Sequence, residues 1–137
     1  MLFRSEHDRA TIAQFRLTLG QQQRSVEEIE HFAADAHRQG RNAVVVEAQI
    51  LIARHYFLIG RTEDAGRAFL EAVKLAAPEQ MLRPFIEDAE AMAPIVRNLI
   101  RNVGICAIDS RALAFIMDIL SRLNPIPFGR GSASKLG

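Results

Sequence analysis

Between Gly40 and Gly60 the chain reads "RNAVVVEAQILIARHYFLI", and no other stretch constrains the fold as much. It is too long for one β-strand, since strands run about 3 to 10 residues. The Val triplet pulls towards a strand, but the length and the lack of internal Pro or Gly predict one helix from about Asn42 to Ile59. Apolar residues occur almost all round that helix, so it has no single face to turn to water and must be buried on several sides. A chain whose longest helix lies inside has to surround it with others.

The rest of the sequence supplies those neighbours. Ile12, Phe15 and Leu19 share one face of a first helix that ends near Gly20. "SVEE" then offers a capping box, with Ser25 and Glu28 serving each other's backbone ahead of the stripe Val26, Ile29, Ala33 and Ala36, and Gly40 closes the helix. After Gly60, Thr62 is the expected cap of a helix reaching about Ala77, where Pro78 stops it. Gly66 lies inside that helix at a cost of about 1 kcal/mol against Ala, which points to a neighbouring helix passing close. Beyond "MLRPFIEDAE" the stripe Val96, Leu99, Ile100 and Val103 predicts another helix, with Pro94 in its first turn. Asp109 or Ser110 caps the last helix, which carries the stripe Leu113, Ile116, Leu120 and Leu123. Residues 1–124 therefore read as one all-α domain of about six helices, and residues 125–137, "PIPFGRGSASKLG", as a linker or disordered tail.

Composition removes several function classes. With 49% hydrophobic and 24% charged residues in 137, the chain is too apolar for a disordered segment, and no apolar run suits a membrane span. "MLFRSEHDRA" places charge where a signal peptide is apolar, so a cytoplasmic location is expected. A net charge of +1 with both signs interleaved gives no footprint for nucleic acid. The single Cys106 has no second cysteine for a disulfide or a thiolate metal site.

Helical hairpins call for a search for repeats. The tetratricopeptide pattern W-x2-L-G-x2-Y, then A-x3-F and a Pro, aligns with Gln49, Ile52, Ala53 and Tyr56, then Ala65, Phe69 and Pro78, with the Trp missing. Small Ala53 and Ala65 let the paired helices approach, and Tyr56 and Phe69 fill the space beside them. A degenerate earlier copy sets Gly20 opposite Gly60 and Ala13 opposite Ala53; its period exceeds the usual length of about 34 residues because the turn "QQQRS" is long. The fold class expected is a tetratricopeptide-like helical-hairpin superhelix.

The segment "AVKLAAPEQMLRPFIEDAEAMAPIVRNLIRN" resembles the closing repeats of the helical sensor region in MalT-like, ATP-dependent LuxR-family bacterial transcription regulators. The resemblance runs from about Ala10 to Asn102 and is most specific at Ala77-Pro78-Glu79, Arg83-Pro84-Phe85-Ile86 and Glu90-Ala91-Met92. It implies a signal-sensing or interaction module that is not itself an enzyme. In that family the nucleotide-binding module lies before such a region and the helix-turn-helix after it, and neither is in this sequence. A free-standing adaptor that docks a protein partner is the alternative.

Sharper chemistry has little support in the residues. "GRGSASK" lacks the Gly before the Lys and the strand and helix that flank a phosphate loop. Glu27, His31 and Asp35 share a helical face but lack a fourth ligand, so a solvated face is expected rather than a metal site. Cys106 has no His beside it to make a catalytic dyad. No cofactor is expected. Tetratricopeptide superhelices present the first helix of each hairpin on the concave surface, which places Glu47, Ile50, Arg54, Phe57 and Leu58 there, with His7, Gln14, Leu17 and Thr18 from the earlier copy. His7, Gln14, Glu47, Arg54 and Phe57 are the candidates to hold a small effector or a protein partner. Ala112, Phe115 and Ile119 form a second apolar stripe on the last helix, which predicts a homodimer in which Phe115 and Ile119 meet the partner copy.

Overall fold

A computed structural model describes residues 9–15, 25–103 and 108–123, and all regular structure among them is helical. Helix α1 covers residues 9–15. It is followed by α2 (Ser25–Arg38), α3 (Asn42–Leu58), α4 (Thr62–Ala76), a 3-10 turn (Ala77–Glu79), α5 (Arg83–Glu87), α6 (Ala89–Val103) and α7 (Ser110–Leu123). Among the described residues no helix is long and apolar enough to cross a membrane. His7, Leu17, Thr18, Leu19, Gly20, Cys106 and the tail 125–137 lie outside the described residues, as does the side chain of Ser25 in the expected capping box.

The expected internal helix is present. In α3, Val45, Val46, Ala48, Ile50, Leu51, Ile52, Ala53 and His55 are all buried, α2 and α4 pack along it, and α5 and α6 also touch it. Its partner α4 turns Ala65, Ala68, Phe69, Ala72, Val73 and Ala76 inwards. The small residues allow close approach, and Phe69, 0% exposed, fills the space beside them. Gly66 shows why the chain tolerates glycine in a helix: a Cβ there would lie 3.2 Å from Leu99 Cδ1 of α6, tighter than ordinary van der Waals contact.

The turns are built alike. After α2 and after α3 the chain passes through Gly40 (φ +74°) and Gly60 (φ +88°). The amide of Arg41 donates to Ala36 O at 2.9 Å and that of Arg61 to Tyr56 O at 2.8 Å, the backbone closure of a Schellman cap. Each Arg then lies over an aromatic ring of the helix just completed, Arg41 over Phe32 at 5.9 Å and Arg61 over Tyr56 at 4.8 Å. The same closure recurs after α4, where Met81 N donates to Ala76 O at 3.0 Å, but here Gln80 takes the left-handed conformation (φ 55°). An L side chain pays about 1 to 2 kcal/mol for that conformation.

Four expectations need correction. Thr62 does not cap α4: it is the first helical residue, Arg61 precedes it with no side-chain cap, and Asp64 in the first turn instead pairs with Arg61 at 2.6 Å and Arg67 at 2.7 Å. Pro94 is inside α6 rather than in its first turn, because the helix already starts at Ala89. The stretch around "RPFIE" forms the separate helix α5, with Pro84 in its first turn. Finally, Phe115 and Ile119 do not form an exposed stripe. They are 4% and 0% exposed, because the 3-10 turn, α4, α5 and α6 all pack on α7, and Phe115 meets Phe85 edge to face at 5.5 Å. Leu113 and Leu120 flank that buried face, and Met117 is on the open side at 48% exposure. The cap of α7 is Asp109, whose carboxylate accepts from the amides of Arg111 at 3.1 Å and Ala112 at 3.4 Å.

Candidate functional site

Burial along α3 falls off as the helix approaches its C-terminal end. Ile50 and Ala53 are core, but Arg54 and Phe57 are half-buried and Leu58 is 74% exposed. No charged residue follows Arg54 until Arg61, and of this stretch Phe57 and Leu58 line the rim of the cleft, with Ile59, 42% exposed, next in the chain. A single solvent-facing Leu is ordinary; beside Phe57 in the wall of a cleft, Leu58 adds to its apolar surface.

That cleft has a volume of about 340 Å³ and is lined by Arg54, Phe57 and Leu58 of α3, Asp88 at the break between α5 and α6, and Glu90, Ala91 and Pro94 of α6. Arg54 Nη1 donates to Asp88 Oδ2 at 3.4 Å across 34 residues of sequence, whereas the other ion pairs among the described residues join side chains three or four positions apart. At that length and partial exposure the pair contributes about 0 to 1 kcal/mol. Its larger effect is positional, since it ties the α5–α6 break to the end of α3. Asp88 also starts α6 through its backbone, its carbonyl accepting from Ala91 N at 3.0 Å and Met92 N at 2.9 Å. Pro94 has no N–H, so the bond that would normally reach the Glu90 carbonyl cannot form.

Two of the five groove candidates, Arg54 and Phe57, thus meet in one cleft. Glu47 is half-buried two turns earlier on α3, Gln14 is exposed on α1, and neither lines it; His7 lies outside the described residues. Asp88, Glu90, Ala91 and Pro94 complete the site and were not expected from sequence. The one available signal was Asp88 followed by Glu90, an acidic start to a helix.

Other places offer less. A larger cleft of about 610 Å³ between the 3-10 turn and α7 has Phe115 as its aromatic wall, which is already core, and its Asp118 is held by Arg122 at 3.1 Å. On α2, Asp35 accepts from Arg38 at 2.9 Å and Gln39 at 3.2 Å, and no group of three His, Cys, Asp or Glu among the described residues is arranged to hold a metal ion. Tyr56 donates to Glu30 Oε2 at 3.1 Å, and burial followed by that bond pushes its hydroxyl pKa up. His55 is 6% exposed, its Nε2 has no hydrogen-bond partner among the described residues, and burial holds its pKa below the usual value of 6.5.

Comparison with known proteins adds no assignment: no family model, curated protein or solved structure matches this chain.

Proposed function

We propose that the chain is a non-enzymatic binding module, and that the cleft between the end of α3 and the α5–α6 break receives its effector or partner. The observation that carries this reading is the change along α3, from the largely buried run 45–53 to an end where Arg54, Phe57 and Leu58 remain open beside Asp88 and Glu90. A cleft of about 340 Å³ with an apolar wall and a few convergent polar groups is at the small end of the usual range for ligand sites, about 300 to 1,000 Å³.

The likeness of residues 72–102 to the sensor region of MalT-like regulators supports a more specific version, in which the module reports effector binding to a DNA-binding partner domain. Such a regulator couples sensing to self-association, here through a surface other than the buried Phe115 and Ile119. A free-standing adaptor is the second reading, favoured by the exposed Leu58 at the rim of the cleft.

Thermal-shift screening tests the module. A ligand at about 100 times its dissociation constant stabilises the fold by roughly 2.7 kcal/mol, and Leu58→Asp should abolish the response while leaving the unliganded melting temperature nearly unchanged. A hit whose shift survives Leu58→Asp and Arg54→Ala places the binding site elsewhere. Reading the gene beyond codon 137 separates the two versions, since a LuxR-type helix-turn-helix encoded there supports the regulator.

A further inference from the structure

We propose that the occupant of this cleft is a peptide that inserts a Lys or Arg side chain between Asp88 and Glu90 and lays an aliphatic neighbour over Leu58. The inference rests on the cleft being the binding site, and it narrows the ligand class by an imbalance of donors and acceptors. One cationic side chain, Arg54, lines the cleft, and it is already engaged by Asp88. Against it stand two carboxylates, and exposed Glu90 forms no ion pair among the described residues. Pro94 of the lining brings no backbone N–H of its own, so it adds no donor there.

The lining is therefore short of donors and carries a formal charge of −1 from Arg54, Asp88 and Glu90. An anion drawn to Arg54 would lie beside two carboxylates. A cation meets the opposite situation, with the exposed carboxylate of Glu90 to pair with it and the half-buried Phe57 beside it. The lining also includes Leu58, 74% exposed, whose apolar side chain a small amine leaves in water and a chain with an aliphatic residue beside its basic one covers.

The test uses the full chain, labelled with 15N, and three blocked peptides: acetyl-Leu-Arg-Leu-Leu-amide, its citrulline analogue, which keeps shape and loses charge, and its Glu analogue. The expected result is movement of the Phe57, Leu58 and Ala91 amide signals, with the Arg peptide about fivefold tighter than the citrulline peptide, a difference within the range for one partly exposed charge pair. Glu90→Gln, a change at an exposed position, should remove that difference without altering the fold. If the Glu peptide binds as tightly as the Arg peptide, the cation assignment is overturned while the cleft remains the site. Hexylamine moving the same signals as strongly overturns the peptide as occupant. No movement of these signals with any probe overturns both the ligand class and the site.

Discussion

Phe69 and Phe57 belong to facing helices of one hairpin, yet they occupy opposite kinds of environment. Phe69 is 0% exposed and meets Phe85 edge to face at 5.6 Å, while Phe57 is half-buried beside an open cleft with Leu58 projecting from its rim. The sealed region derives its energy from area removed from water and from ring contacts. The open region leaves comparable side chains only partly covered, Phe57 packing on the core by one side and Leu58 largely in water. The contrast implies that substitutions in the first act on stability and substitutions in the second act on recognition, and each of the following outcomes breaks or sharpens that division.

The largest effect is expected from Phe115→Glu combined with Ile119→Glu, which places two carboxylates in a dry interface and should leave no folded chain by circular dichroism. A folded double mutant would show that α7 is not part of the sealed region. Phe69→Ala should cost about 3 to 5 kcal/mol in denaturant unfolding, and a cost below about 1 kcal/mol would mean the hairpin core relaxes freely.

Acid tests the same side through His55. Burial lowers its folded pKa below the usual value, so near pH 6.5 and below the unfolded chain binds more protons than the folded one. Its contribution is therefore fully present above pH 6.5, lost as the pH falls below that value, and constant again once the folded group is protonated too. His55→Leu should flatten this part of the stability curve; an identical acid limb in the variant would remove His55 as its cause. The smallest effect belongs to the open side. Leu58→Ser should change stability by no more than about 0.5 kcal/mol, because a residue 74% exposed gives up little buried area. Its cost should appear in peptide binding instead.

The hairpin region was largely legible from sequence because its signals are local. Gly40 and Gly60 fix the turns through left-handed backbone, the apolar run of α3 marks a surrounded helix, and Gly66 announces a close neighbour. That the neighbour is Leu99 is a tertiary fact that no local spacing contains. The candidate site was half legible for the same reason. Arg54 and Phe57 follow from the face of one helix, whereas Asp88, Glu90 and Pro94 depend on where α6 begins. Pro's preference for a first turn argued for a later start; packing of Met92, Ile95 and Val96 into the core outweighs the lost hydrogen bond and extends the helix back to Ala89. For α7, two apolar stripes in sequence could not disclose how many neighbours surround it.

The rings of Phe69, Phe85 and Phe115 run edge to face from α4 through α5 to α7, at 5.6 and 5.5 Å. The second of these contacts skips α6 in the chain. Where hairpins touch only their sequence neighbours, unfolding can begin at one end and travel inwards one repeat at a time. Here α7 reaches past α6 to close on α4 and α5, so releasing the last helix uncovers the middle of the stack. The described C-terminal half should therefore open as one cooperative unit, with amides deep in α4 and α7 exchanging their hydrogens through the same event and at the same free energy.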